Sequence, residues 1–199
     1  MAKKFRRKQE FSEFRPDAQT ATWAKTTRLT RQQRLRLAKW ALYALLIMLM
    51  LVVQDVIMSQ FRFFGATTDL AVCTILLITV IEGTEVGSLF VLIASTMYYF
   101  SGSAPGAYCI GLMSFLGIAA VMLRQLYLHR SKGSIIFCSA IAVMAYEVGL
   151  FVVGILSELT IWIRLVNFVL TGAYSCLVLI PLYPLIYKIG LIGGNTWKE

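Results

Sequence analysis

Five carboxyl groups that fall in or beside apolar stretches are the side chains best suited to chemistry in this sequence. They are Asp55, Asp69, Glu82, Glu85 and Glu147. Because an unpaired charge is costly in hydrocarbon, each is a candidate for handling an ion or a proton. Asp55 and Asp69 fall near the ends of apolar runs, where water is available, and Glu82 and Glu85 fall in a predicted turn. Only Glu147 is predicted to lie well inside a membrane span.

Glu147 lies about halfway along the apolar run 135–156. A proton relay normally needs a second titratable group, and no histidine, lysine or second acid accompanies Glu147 in that run. Two interpretations remain open. The carboxyl group is either part of a functional site, or a structural group that is protonated or hydrogen-bonded across helices.

The remaining reactive residue types do not form a known catalytic pattern. The single histidine, His129, falls in a basic loop, so the sequence offers neither a Ser-His-Asp set nor a histidine metal site. No glycine-rich phosphate loop precedes a lysine. The four cysteines occur one per apolar run without CxxC spacing, which favours packing over disulfide or metal chemistry: Cys73, Cys109, Cys138 and Cys176. The sequence predicts a protein that is not an enzyme and binds no cofactor.

The elements that must position these residues are apolar helices. Of the 199 residues, 58% are hydrophobic and only 15% are charged, against about 25% charged in soluble domains. This composition predicts an all-α integral membrane protein with six transmembrane helices in a compact bundle. The predicted spans are 38–58, 66–81, 86–100, 107–126, 135–156 and 165–187. The second apolar run is short against the roughly 20 residues of an ordinary span.

The basic residues predict how the spans are oriented. Residues 1–39 contain 12 of the 19 Lys and Arg residues but only 3 of the 10 acids. With six spans and both termini on one side, 17 basic residues lie on that side and 2 on the other, as the positive-inside rule requires of a cytoplasmic side. The prediction is a cytoplasmic tail (1–37), a membrane domain (38–190) and a short cytoplasmic C-terminal tail (191–199).

Residues 1–39, the N-terminal tail and the start of the first span, carry the whole net charge of +9. A basic tail binds either nucleic acid or anionic lipid head groups. Because this tail leads directly into an apolar helix, the sequence favours anionic lipids as its partner and no nucleic acid. An alternative that stays open is a solvated arm that only fixes the orientation of the chain.

Glycines spaced four residues apart mark two predicted turns. Gly83 and Gly87 flank the first of them, and Gly102 and Gly106 flank the second. Small residues at this spacing allow helix backbones to approach closely. These glycines are therefore candidates for packing or interaction.

Three ordered motifs resemble a bacterial family. Residues 64–70, FGATTDL, contain Gly65 and Asp69 and resemble the "FG-x-x-P-D-L" entry to the second span of MreD, the rod shape-determining membrane protein. Residues 82–87, EGTEVG, match its "G-x-x-x-G" turn, and residues 101–108, SGSAPGAY, resemble its "S-G-S-P-x-G-x-Y" loop. The resemblance covers about 45–190. The chain departs from the pattern at Thr68, where the family has proline, and at Tyr98, where it commonly has aspartate.

The resemblance implies a non-enzymatic subunit of the cell-wall elongation machinery in the bacterial cytoplasmic membrane. The implied partners are an MreC-like protein, an MreB-like filament, and the RodA glycosyltransferase with its transpeptidase partner. MreD is similar in fold to the substrate-binding S components of energy-coupling-factor transporters, so the alternative is an S component for vitamin uptake. A third possibility is a membrane protein of spore or envelope assembly with the same fold and another partner.

Overall fold

The computed structural model describes residues 31–58, 60, 66–127 and 132–192, and every element named below lies in these ranges. Gly65, His129 and most of both predicted tails lie outside the described residues. The six α-helices are α1 (Arg31–Val53), α2 (Leu70–Glu82), α3 (Thr84–Phe100), α4 (Tyr108–Tyr127), α5 (Lys132–Leu156) and α6 (Leu165–Gly190). A π-helical turn, Gln54–Met58, extends α1, and a 3-10 turn, Trp162–Arg164, precedes α6.

The all-helical, membrane-type architecture predicted from composition is confirmed. Four helices, α1, α4, α5 and α6, are long and apolar enough to cross a membrane. At 1.5 Å per residue, the 13 residues of α2 extend about 20 Å, which is less than the roughly 30 Å of a bilayer hydrocarbon core. The count of six crossings therefore remains a prediction.

The short helix α2 forms the centre of the bundle. All of its residues are buried, from Leu70 to Glu82, and it packs against each of the other five helices. A helix enclosed by protein on every side does not contact lipid, so its length need not match the bilayer thickness. This explains how an apolar run too short for an ordinary span is accommodated.

The chain reverses direction between α2 and α3 at a single residue. Gly83 has φ 89° and ψ −172°, a backbone conformation that is essentially restricted to glycine. Gly87 on α3 lies directly against Thr79 on α2, because a β-carbon built on Gly87 would come within 2.5 Å of the Thr79 carbonyl oxygen. Thr79 and Gly87, four positions before and after Gly83, thus touch. They could not touch if α2 and α3 were two parts of a single interrupted helix.

Helices alternate in direction, so the bundle has two distinct ends. The Glu82 end contains the start of α1, the end of α2, the start of α3 and the ends of α4 and α6. The Asp69 end contains the opposite helix ends. At the Glu82 end, Gly190 of α6 lies against the Tyr43 hydroxyl of α1, and Arg124 of α4 donates a hydrogen bond to the Val80 carbonyl. The end of α6 therefore lies beside the middle of α1, and the first turns of α1 extend from there on the Glu82 side.

The outer surface of the bundle is apolar. Large hydrophobic side chains are exposed on every helix except α2, as expected where lipid tails replace water. Examples are Leu45, Leu49, Leu89, Phe100, Phe115, Leu126, Phe137 and Leu177. α6 continues as a helix through Pro181 and Pro184.

Candidate functional site

Asp69 begins α2 and caps its first turn. Its Oδ1 accepts a hydrogen bond from the Val72 amide at 3.4 Å, which satisfies one of the amides that an α-helix leaves unpaired at its start. Side chains from other helices complete this cap. Gln54 Oε1 accepts from the Ala71 amide at 2.9 Å, and Ser175 Oγ accepts from the Asp69 amide at 3.1 Å. α1 and α6 thus fix the start of the central helix.

Tyr98 joins Asp69 to the loop between α3 and α4. The Tyr98 hydroxyl lies 3.2 Å from Asp69 Oδ2 and 3.4 Å from the Ser103 carbonyl oxygen. The Ser103 hydroxyl in turn donates to both oxygens of Asp55, at 3.1 and 3.0 Å. Two of the sequence motifs, 64–70 and 101–108, therefore meet in one hydrogen-bonded group at the Asp69 end. Tyr98 of α3 is the link between them.

A cavity of about 600 Å³ opens beside this group. Its size falls within the usual range of small-molecule sites, about 300–1,000 Å³. Its lining is mostly polar, and the polar residues that line it are Gln54, Thr67, Thr68, Asp69, Tyr98, Ser103, Glu147, Arg164, Asn167 and Thr171. Because Arg164 and Asn167 are exposed, we place its opening beside the start of α6.

Glu147 brings a second carboxyl group into the cavity wall. The residue is only 3% exposed, and its Oε1 has no hydrogen-bond partner among the described residues. Of the alternatives that the sequence left open for Glu147, a hydrogen bond across helices is not made by this oxygen within the described ranges. In the sequence no second acid lies near Glu147, because Asp69 is far away in the chain. The fold places Asp69 and Glu147 in the same cavity wall.

Glu82 corrects a second prediction. It was predicted to lie in a polar turn, but it is the last residue of α2 and is buried. Lys39 Nζ lies 2.6 Å from Glu82 Oε1 and 2.7 Å from Oε2, and the Tyr43 hydroxyl donates to Oε1 at 2.7 Å. Glu85, three residues later, is exposed. Lys39, one of the 12 basic residues in 1–39, is buried together with Glu82.

The candidate glycines have different roles. Gly87 permits close helix contact, as predicted, because its neighbour is backbone of α2. Gly102 has φ +79° and no atom within 4 Å of a built β-carbon, so its backbone conformation, and not packing, requires glycine. Gly106 has the side chain of Tyr108 as its nearest neighbour. The prediction that Gly102 and Gly106 allow close helix packing at the second turn is therefore wrong.

The described ranges contain no cluster of candidate metal ligands, and most of their cysteines are buried. No group of three or more His, Cys, Asp or Glu residues that could hold a metal ion occurs there. Three of the four cysteines, Cys73, Cys109 and Cys138, are buried in the hydrophobic core. The polar groups at the Asp69 end instead surround the cavity of about 600 Å³.

Sequence reasoning did not identify four residues whose side chains join helices through hydrogen bonds. They are Lys39, Tyr43, Arg124 and Ser175. Lys39 is the last basic residue before an apolar run, and Glu82 is the last residue of the next apolar run. Their opposite charges at corresponding ends of two neighbouring spans were a signal of pairing. Ser175 gave no such signal. Comparison with known proteins adds no relative to this geometry: no protein-family model, no curated protein and no solved structure matches the chain.

Proposed function

We propose that this chain is a non-enzymatic membrane scaffold subunit of the bacterial cell-wall elongation machinery, of the MreD type. Its partners are an MreC-like protein, an MreB-like filament, and the RodA glycosyltransferase with its transpeptidase. Anionic lipids bind the N-terminal tail. The chain lies in the cytoplasmic membrane with six spans and both termini in the cytoplasm.

The observation that carries this proposal is the convergence of the motif residues that resemble MreD. Asp69 from the first motif is hydrogen-bonded to Tyr98, and Tyr98 contacts Ser103 of the third motif. Gly83 and Gly87 of the second motif form the reversal between α2 and α3. The motifs are individually weak in sequence, and their joint use around the central helix supports treating them as one unit.

The bundle also supports the proposed topology. The end of α6 lies beside Tyr43 of α1 at the Glu82 end, and the start of α1 lies on the same side of the bundle. The charge asymmetry of 17 basic residues against 2 assigns that end to the cytoplasm. The Asp69 end and its cavity then face outward, towards the side on which the cell wall is built.

Depletion and co-purification test the scaffold function. Depleting the protein from rod-shaped cells is expected to make them round or swollen, and the tagged protein is expected to recover an MreC-like partner. Gly87→Ala is expected to reduce that recovery, and Gly111→Ala, where a built β-carbon meets no atom within 4 Å, serves as the matched control. Normal cell shape after depletion, together with no MreC-like protein among the recovered partners, would contradict the proposal.

The cavity favours one alternative function, a substrate-binding S component for vitamin uptake. Transporter sites are lined by polar groups, and the cavity beside Asp69 and Glu147 is also lined mostly by polar residues. Tight binding of a vitamin by the purified chain, with unchanged cell shape after depletion, would favour the S component over the scaffold.

A further inference from the structure

The charges that line the cavity are unbalanced. Two carboxyl groups, of Asp69 and Glu147, line it together with one guanidinium group, that of Arg164. Among the described residues, no Lys or Arg side chain is within ion-pair distance of either carboxyl group. The donors to the Asp69 carboxyl group are the Val72 amide and the Tyr98 hydroxyl, which are both uncharged.

Glu147 is the group that most needs an additional partner. Its Oε1 is buried and without a hydrogen bond in the described chain. An isolated buried carboxylate loses the solvation it has in water, and normally gains a hydrogen-bonded or cationic partner in return. Glu147 faces a cavity large enough to admit such a partner. The site therefore combines a built cavity with an unsatisfied acidic group in its wall.

We propose that the cavity binds the primary ammonium group of a small zwitterion between Glu147 and Asp69, with the anionic group of the ligand towards Arg164. An ammonium group has three N–H donors and no acceptor, which matches two carboxyl groups and one of the threonine hydroxyls that line the cavity. Tyr98 and Phe168 also line it and present aromatic rings, which attract cations. Arg164 binds a phosphate or carboxylate through its guanidinium fork.

Two sources carry this chemistry. One is the ethanolamine phosphate head group of a membrane lipid, and the other is a free amino-alkyl phosphate from the outer solution. About 600 Å³ accommodates either, together with several waters, since one water occupies about 30 Å³ in the liquid. The inference stands apart from the scaffold function, because the cavity and its charges do not depend on which protein partners assemble with the chain.

Thermal unfolding of the full chain in mild detergent tests the free form. Phosphoethanolamine is expected to raise the unfolding temperature of the wild-type protein in a concentration-dependent way, as a ligand of the folded state must. Glu147→Gln keeps the size of the side chain but removes its charge, and its apparent affinity is expected to be at least tenfold weaker. Glu85→Gln is the matched control, because Glu85 is an exposed acid at the Glu82 end, and it should respond as the wild type does.

Arg164→Gln tests the anionic half of the ligand. The wild-type protein is expected to bind phosphoethanolamine more tightly than ethanolamine, and this preference should disappear in Arg164→Gln. Inorganic phosphate alone should have little effect. A shift from inorganic phosphate equal to that from phosphoethanolamine would overturn the assignment of an ammonium site.

Nanodiscs test the lipid form. The unfolding temperature is expected to be higher in phosphatidylethanolamine discs than in phosphatidylglycerol discs for the wild type, with the difference lost in Glu147→Gln. A response in either the free or the lipid experiment supports the site and identifies its source. If Glu147→Gln responds like the wild type, or if the wild type responds in neither experiment, the proposal is wrong. Asp69→Asn, which keeps an oxygen to cap α2, replaces Glu147→Gln if that variant does not fold.

Discussion

Lys39 in the third turn of α1 and Glu82 at the end of α2 form a buried ion pair, with Nζ 2.6 Å from Oε1. The Tyr43 hydroxyl, one helical turn after Lys39, donates to the same oxygen at 2.7 Å. Both charged side chains are almost fully enclosed. The pair fixes the register of the first helix against the central one at the Glu82 end.

Replacing only one member of this ion pair is expected to lower the unfolding free energy. Lys39→Met or Glu82→Gln leaves the other partner buried without its counterpart, and each single variant should lose about 3–5 kcal/mol of unfolding free energy. The double variant should be more stable than either single variant, because no uncompensated charge remains. Lys132→Met, at an exposed lysine of α5, is the control. The unfolding free energy of each variant is measured in mixed micelles. If the double variant lost the sum of the two single losses, the result would contradict a direct pair.

The contact of Gly87 with Thr79 predicts a specific loss on adding one methyl group. Gly87→Ala would place a β-carbon 2.5 Å from the Thr79 carbonyl oxygen, so the helices must separate, at a cost of about 1–3 kcal/mol. Gly111→Ala makes the same chemical change in α4 with no atom within 4 Å, and should be neutral or stabilising by up to about 1 kcal/mol. Equal unfolding temperatures for the two variants would show that α2 and α3 do not approach as closely as this.

Tyr98 is expected to stabilise the protein through its hydroxyl group. Tyr98→Phe removes the donor to Asp69 Oδ2 and should cost about 1.5–3 kcal/mol, the usual contribution of a hydrogen bond to a charged group. Tyr99→Phe is the matched control, since Tyr99 is the next residue of α3 and is exposed. The two variants would unfold alike if the hydroxyl were unimportant.

Tyr98→Asp would introduce the residue that is common at the corresponding position of MreD proteins, and should be less stable than Tyr98→Phe. It replaces a buried donor with a second carboxyl group beside Asp69, and like charges in a dry site repel each other. Unfolding temperature and membrane abundance measure this difference. A Tyr98→Asp protein as stable as the wild type would show that the site tolerates three neighbouring acids.

The proposed orientation predicts which residues can be labelled from outside the cell. Ser157, exposed in the connection between α5 and α6, lies at the Asp69 end, and Ser157→Cys should react with a membrane-impermeant maleimide on intact cells. Glu85→Cys, at the opposite end, should react only after the membrane is opened. The wild-type protein gives the background of the native cysteines. Tags at Ala2 and Glu199 should both stay inaccessible from outside, and labelling of either would contradict six spans.

The sequence by itself determined the helices, because their signals are local. Apolar runs separated by glycine, proline and polar residues predicted six segments, and all six occur as helices with similar bounds. The conformational need for glycine at Gly83 and the close contact at Gly87 were also local, since both follow from a chain that reverses within a few residues. The membrane environment followed from composition, which requires no knowledge of packing.

Only the tertiary structure decided which polar groups meet. Lys39 and Glu82 are 43 residues apart, and Asp69 and Tyr98 are 29 apart. Membrane helices are apolar on all sides, so hydrophobic periodicity does not reveal which face of a helix turns inward. A carboxyl group such as Glu147 therefore looks the same in sequence whether it faces lipid, a partner or a cavity. Its environment is set by packing around α2, where five other helices determine what each buried side chain contacts.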